Sequence, residues 1–253
     1  MLIVKDVHKT FFPGSVNEKK ALQGVDLTLK DGDFVTVIGS NGAGKSTLLN
    51  AVAGVFPIDT GRIEISGTDV TKMPEYQRAR FIGRVFQDPM KGTAAGMMIE
   101  ENLAMAARRG KRPGLRWSSQ GEQTERFKAM LRELDLGLED RMTAHVGLLS
   151  GGQRQAVTLL MATLVRPELL LLDEHTAALD PKTAEKVLQL TDRIVRQHNL
   201  TTLMITHNMR DALRFGNRLI MMHAGRVVED IPGDVKKTLA VPDLLDLFEK
   251  RAG

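Results

Sequence analysis

Apolar residues recur along this chain with two periods. Short runs of strand character occur at Leu2 to Val7, Val25 to Leu29, Phe34 to Ile38, Gly61 to Gly67, Gly83 to Phe86, Leu169 to Leu172 and Leu203 to Thr206. Val25 to Leu29 alternates apolar and polar positions, which marks a strand with one wet face, whereas Leu169 to Leu172 is apolar throughout, as in a strand covered on both faces of a parallel sheet. Between the runs lie stretches of helical spacing: Leu48 to Ala53, Pro74 to Arg80, Ala156 to Leu164 and Thr183 to Asn199. In the last of these, Val187, Leu190, Ile194 and Val195 or His198 make the stripe that faces the sheet. Strand and helix alternate, which predicts an α/β fold with a parallel sheet. From about Met90 to Gln153 the strand rhythm stops and helical patterning takes over, as in Ile99 to Arg108 and Glu122 to Leu136, so a helical insertion is expected there. Arg218 to His223 and Arg226 to Asp230, joined at Ala224-Gly225, predict a hairpin, and Val235 to Gly253 a polar helical tail.

The chemistry is densest where the run Phe34 to Ile38 meets the helix at Leu48. The linking residues Gly39, Ser40, Asn41, Gly42, Ala43, Gly44, Lys45, Ser46 and Thr47 satisfy G-x-x-x-x-G-K-[ST] in the strand-then-helix context that this phosphate-binding loop requires. Gly39, Gly42 and Gly44 lack Cβ atoms, so the backbone can turn its N–H groups onto an anion. Those groups and the positive end of the next helix suit the β- and γ-phosphates of a nucleotide. Lys45 adds a mobile charge, the Ser46 hydroxyl is placed for Mg²⁺, and Thr47 is assigned to the α-phosphate.

Other polar residues stand at similar boundaries. The apolar run ending at Leu172 gives way to Asp173 and Glu174, and adjacent carboxylates at a strand end are costly to bury without positive partners. Mg²⁺ gives Asp173 its reason, and Glu174 is then placed to orient or deprotonate a water; an ordinary acidic loop is the competing reading. His207 ends the run Leu203 to Thr206, and strand C-termini of an open parallel sheet share the ligand edge. Gln87, after the strand at Val85-Phe86, faces a metal and its waters or serves only the Asp88-Pro89 turn. Ser150 and Gln153 fit a capping box, while Gly151 and Gly152 inside it lower helix propensity and expose N–H groups to an approaching anion. Phe11 and Phe12, in a loop from His8 to Gly14, either stack on a base or plug the edge of the sheet. The basic, Pro/Gly-broken connector Arg108 to Trp117 either touches phosphate head groups or a partner or, as the favoured reading, is a solvated loop.

Composition narrows the class without choosing the chemistry. The 253 residues suit one large α/β domain or a domain with a subdomain. The absence of Cys excludes disulfides and thiolate metal sites. No apolar stretch reaches the roughly 18 residues needed to span a bilayer, and the start at Met1 lacks the pattern of a signal peptide. A membrane role therefore needs another chain. The net charge of +4 is mildly basic and carries little weight.

Taken together, the loop at Gly39 to Thr47, Gln87, the stretch Leu149 to Gln153 reading LSGGQ, Asp173-Glu174 and His207 stand in the order of the ATP-binding cassette ATPases, the nucleotide-binding subunits of ABC transporters. The chain resembles that family from roughly residue 2 to 230, and no N-K-x-D guanine-reading motif is present. The resemblance implies a P-loop NTPase (RecA-like) core with a parallel sheet, an N-terminal antiparallel β-subdomain and an inserted helical subdomain at about 90–160, with 231–253 as a short helical tail. It implies ATP and Mg²⁺ as ligands, Phe11 as the residue on adenine, Gln87 and Asp173 with Ser46 as metal-facing residues, Glu174 as catalytic glutamate, His207 as the γ-phosphate histidine and Asp180 as the D-loop aspartate. It further implies a head-to-tail homodimer with ATP between the Gly39 to Thr47 loop of one copy and Ser150 to Gln153 of the other. The other implied partners are an integral membrane permease and an extracytoplasmic substrate-binding protein. No nucleic acid is expected, and the place of work is the cytoplasmic face of the membrane. The family commonly has Pro and Ser where this chain has His175 and Ala177. The variant motifs resemble bacterial importers of amino acids, aromatic ones included; a soluble cassette ATPase acting on ribosomes or DNA is the alternative.

Overall fold

The computed structural model describes residues 1–110 and 120–252. Its strands are β1 (Leu2–Phe11), β2 (Lys19–Leu29), β3 (Phe34–Gly39), β4 (Thr60–Ile65), β5 (Thr68–Asp69), β6 (Ile82–Val85), β7 (Leu169–Asp173), β8 (Thr202–Ile205), β9 (Arg218–His223) and β10 (Arg226–Pro232). Its helices are α1 (Lys45–Ala53), α2 (Glu75–Arg78), α3 (Ile99–Ala106), α4 (Gln120–Arg132), α5 (Gly151–Thr163), α6 (Pro181–Gln197), α7 (Met209–Arg214), α8 (Gly233–Lys236) and α9 (Val241–Ala252).

Among the described residues the strands form two sheets. One is antiparallel, in the order β2-β1-β4-β5; the other runs β10-β9-β3-β8-β7-β6, parallel from β9 to β6 with β10 antiparallel at one edge. The expected combination of a parallel core sheet, an N-terminal antiparallel sheet and inserted helices is what the chain adopts. Val35, Val37, Leu171, Leu203 and Ile205 of the parallel sheet share one apolar cluster with Leu2, Val4, Ile63 and Ile65 of the antiparallel sheet and with Leu48, Leu49 and Val52 of α1. The opposite face, through Leu170, Leu172 and Met204, joins Val157 and Leu160 of α5, Leu188 and Ile194 of α6, and Leu103, Phe127 and Leu131 of the inserted helices. The central strands are thus covered on both sides, as their unbroken apolar runs require.

Several boundaries differ from the sequence expectation. β1 continues to Phe11 and β2 begins at Lys19, pairing Phe11 with Lys19. Phe11 therefore ends a strand and does not lie in a loop. The missed residues of β2 include exposed Lys19 and Lys20, and a strand with a wet edge lacks the apolar rhythm that betrays it. α4 stops at Arg132, short of Leu136, with Asp135 and Gly137 at positive φ. α6 starts at Pro181 because the Asp180 carboxylate accepts the N–H of Thr183 at 3.1 Å, an N-cap followed by proline at the first helical position. Of the α6 alternatives, Val195 is buried and His198 is exposed. The C-terminal segment is two helices, and it is not merely polar: Leu244 is buried with Ile38, Leu219, Met221 and Ile231. In the basic connector, Arg109 donates to the carbonyls of Ala162 and Val165 at the end of α5, and Lys111 to Trp117 lie outside the described residues.

Candidate active site

The ends of β3, β7 and β8 place the polar residues. β3 delivers Gly39 and the loop that opens α1. Gly42 (φ 81°) and Gly44 (φ 97°) occupy the left-handed region, and a Cβ on Gly44 would stand 2.6 Å from the carbonyl oxygen of Ala21. No side chain caps α1 at Gly44, so its first N–H groups are left to the loop's concave side. Lys45 is buried, and its Nζ donates to the carbonyls of Gly39 at 2.7 Å and Ser40 at 3.1 Å, which turns the ammonium back across the loop. Burial lowers its pKa, opposed by the carboxylates of Glu174 and Asp173.

Asp173, the last residue of β7, accepts from the Ser46 hydroxyl at 3.3 Å. Burial raises its pKa; the guanidinium of Arg84, with Oδ2 4.0 Å from it, and the Ser46 hydroxyl act in the opposite sense. Glu174 follows in the left-handed region at φ 45°, and its N–H donates to the Ile205 carbonyl at 3.1 Å. Its Oε2 lies 3.4 Å from Nδ1 of His207, two residues beyond β8. Gln87 lines a cleft of about 530 Å³ with Asp173, Arg84, Phe86 and Asn50. Of the predicted site residues only Gln87 and Asp173 line this cleft; Ser46 joins them through its bond to Asp173, and His207 through Glu174, the next residue in the chain.

These donors fit both ligands expected from the sequence. An uncapped helix start with glycines at positive φ and an ammonium is a receptor for a polyphosphate. Ser46, Asp173 and Gln87 are oxygen donors of the kind that hold Mg²⁺ together with phosphate oxygens, in place of an all-protein cage.

The LSGGQ stretch lies elsewhere. Ser150 and Gln153 form the expected reciprocal cap: Gln153 N–H donates to Ser150 Oγ at 3.3 Å, and Ser150 N–H donates to Gln153 Oε1 at 3.2 Å. Gly152 has a packing reason that the sequence did not show, since a Cβ there would fall 2.1 Å from Thr183 Cγ2 on α6. Ser150, Gly152 and Gln153 line a separate cleft of about 680 Å³ with Lys186, Gln189 and Arg193, and its lining includes neither the phosphate loop nor Asp173. Asp180 caps α6, and the Thr183 hydrogen bonds hold its carboxyl below the usual range. Phe11 sits with its ring edge-on to Phe56, centroids 5.2 Å apart and planes at 81°, with the Lys9 ammonium 5.6 Å from its centroid; Phe12 is exposed.

Arg84 was not anticipated near the site, and His175 stood out in the sequence only as a departure from the family pattern. Arg84 donates to Asn50 Oδ1 at 2.5 Å, stacks 4.5 Å from the Phe86 ring centroid and faces Asp173. Its signal was a charged residue inside an otherwise buried strand, a position that demands a partner. His175 is 2% exposed, and burial lowers its pKa to about 4, so the ring is neutral at pH 7.

Residues 22–177 match the family model described as ABC transporter. The chain belongs to the ABC transporter family, as an ATP-binding, ATP-hydrolysing cassette. It is 44% identical over 250 residues to the tyrosine transport ATP-binding protein of Clostridioides difficile (strain R20291), covering 98% of this chain and 99% of that one. It is 39% identical over 226 residues to the methionine import ATP-binding protein MetN of Rhizobium johnstonii, covering 88% of this chain but 59% of that one. Among solved structures, the dimeric post-hydrolysis state of the ATP-binding cassette MJ0796, bound to ADP and Pi, superposes with a TM-score of 0.79 at 30% identity, over 92% of this chain and 99% of that one. Among the described residues of this cassette, no helix is long and apolar enough to cross a membrane.

Proposed function

We propose that this cassette is the ATP-hydrolysing motor of an amino-acid importer, working as a head-to-tail homodimer bound to an integral membrane permease at the cytoplasmic face. The observation that carries the chemistry is the meeting of Lys45 and Ser46, after β3, with Asp173 and Glu174, at the end of β7, across the intervening β8. End-to-end similarity to a tyrosine transport subunit supports amino-acid import, aromatic substrates included. The separate cleft at Ser150 to Gln153 supports the dimer, because that capped helix start lines a cleft to which its own phosphate loop does not contribute. A binding protein outside the membrane completes the proposed system.

Each residue then has a task. Residues Gly39 to Thr47 hold the phosphates of ATP, with Lys45 exchanging its two loop carbonyls for phosphate oxygens. Phe11 presents its ring to adenine. Ser46, Asp173 and Gln87 would hold Mg²⁺, which supplies charge neutralisation on the phosphate oxygens. Glu174 accepts a proton from the attacking water as the new oxygen–phosphorus bond forms and the bond from the γ-phosphorus to its bridging oxygen breaks. His207 donates to a γ-phosphate oxygen, steadied by Glu174. Ser150, Gly151, Gly152 and Gln153 of the second copy close over the same nucleotide, and Asp180 lies at the start of α6, where the copies meet.

Glu174→Gln tests this directly. The variant should bind ATP and sediment as a dimer only when ATP is present, and it should copurify with membranes that contain the permease. A monomer at saturating ATP and high protein concentration would sink the dimer, and recovery with ribosomes or DNA would sink the transport role.

A further inference from the structure

We infer that His175 is a positioning residue for the Glu174 carboxylate, holding the turn that carries it against α6 through a hydrogen bond to Thr191. The inference rests on the proposed role of Glu174 as the base in ATP hydrolysis. Glu174 is a non-glycine residue at φ 45°, a conformation that persists only where the surroundings over-determine it. One constraint is the donation from its N–H to Ile205. The other is the next side chain. His175 is 2% exposed and Thr191 is 1% exposed, and His175 Nε2 lies 3.0 Å from Thr191 Oγ1.

The direction of that bond follows from the proton inventory. Thr191 has one hydroxyl hydrogen and donates it to the Val187 carbonyl at 2.8 Å, one turn back in α6. Its oxygen is left to accept, so the hydrogen between the two side chains is carried by His175 Nε2. Thr191 in turn sits on the buried stripe of α6 with Val187, Leu188, Leu190, Ile194 and Val195. The segment from Glu174 to Asp180 is therefore fixed to α6 at two places: by the Asp180 cap at the helix start and by His175 three turns further in. Between them the chain closes on itself, with Ala177 N–H donating to the Glu174 carbonyl at 2.9 Å and Leu179 N–H to the Thr176 carbonyl at 3.1 Å.

Without the hydroxyl, a buried N–H would have no acceptor. The ring would turn, and Glu174 would relax out of the left-handed region, taking its carboxylate away from His207. An apolar filler of the same volume would satisfy packing yet not fix the ring. A dependence on the hydroxyl at position 191 therefore separates positioning from packing.

The test uses the full chain as wild type, Thr191→Val and Thr191→Ser. Steady-state ATP hydrolysis, binding of a fluorescent ATP analogue and ¹H–¹⁵N correlation spectra of the imidazoles would be recorded. Thr191→Val should lower kcat by about 10- to 100-fold, with KM and analogue affinity within about twofold of wild type. Thr191→Ser should restore kcat, and the wild-type His175 ring should show a proton on Nε2. Wild-type turnover in Thr191→Val, equal loss in Thr191→Ser, or a ring protonated on Nδ1 overturns the inference while leaving the cassette's function intact. If Thr191→Val does not fold, Thr191→Ala takes its place, with the same loss in kcat at unchanged KM expected and wild-type turnover overturning the inference. Failure of the wild-type chain and its permease complex to hydrolyse ATP overturns both.

Discussion

Nδ1 of His207 lies 3.4 Å from Oε2 of Glu174. The two side chains leave neighbouring parallel strands, β8 and β7, and the backbone repeats the link through the Glu174 N–H and the Ile205 carbonyl. Parallel pairing thus sets both residues at one level of the sheet edge, together as the proposed base and phosphate-oxygen donor require. On the proposed role, replacing His207 by Ala removes a donor to developing charge, so turnover should fall by about 100-fold with ATP affinity retained. Hydrolysis kinetics beside equilibrium binding of an ATP analogue checks this; turnover within a factor of about three would remove His207 from the mechanism.

The parts of the site that were legible in the sequence are those whose chemistry is local. The loop from Gly39 to Thr47 carries its glycines, lysine and serine within nine consecutive residues, and the cap at Ser150 and Gln153 spans a single helical turn. Asp173, Glu174 and His207 were legible because apolar runs end at them, and the parallel sheet then aligns those ends. Arg78, Arg84 and Lys236 were not. Arg78 and Lys236 are buried and Arg84 is half-buried, and each donates mainly to backbone carbonyls or to distant side chains; a carbonyl oxygen has no residue-type signature. The fold class was readable from the alternation of strands and helices. The extent of β1 and β2 was not, because their outer halves are solvated and lose the apolar rhythm.

Arg78 shows what such a cation does. Its guanidinium is 1% exposed and donates to the carbonyls of Ala51 and Val52 at 2.8 Å each, Met73 at 2.7 Å and Thr71 at 3.1 Å. It closes the C-terminal end of α1, the helix whose first turn holds Lys45 and Ser46, where cation placement is favoured, and it shares the Ala51 carbonyl with the Gly54 N–H. Gly54 makes room for it, since a Cβ there would stand 2.7 Å from Arg78 Nε. Arg78→Ala should cost at least about 3 kcal/mol, because several buried acceptors lose their donor at once. Arg78→Lys should recover only part of that, lacking the planar fork. Urea unfolding of the three proteins measures it, and a loss below about 1 kcal/mol for the alanine variant would show that water replaces the guanidinium.

Lys236 offers a test of pH linkage. It is 2% exposed, lies on α8, and its ammonium donates to the Phe215 carbonyl just past α7, to the Gly216 carbonyl at 3.3 Å and to Thr36 Oγ1 at 3.3 Å. Burial lowers its pKa from 10.5 to about 8. The folded value is below the unfolded one, so between about pH 8 and 10.5 the unfolded chain holds more protons, and this residue makes stability rise with pH across that window. Below it the charged side chain is buried at full cost, on the order of 3 kcal/mol for a shift of this size. Lys236→Met abolishes the titration. The unfolding free energy of wild type minus that of Lys236→Met should therefore climb by up to about 3 kcal/mol from pH 8 to pH 10.5, with other titrating groups cancelling in the difference. Chemical denaturation at half-unit pH intervals gives the curve. A difference that stays level, or that falls as pH rises, would mean that the three oxygen acceptors outweigh desolvation and hold the ammonium charged throughout.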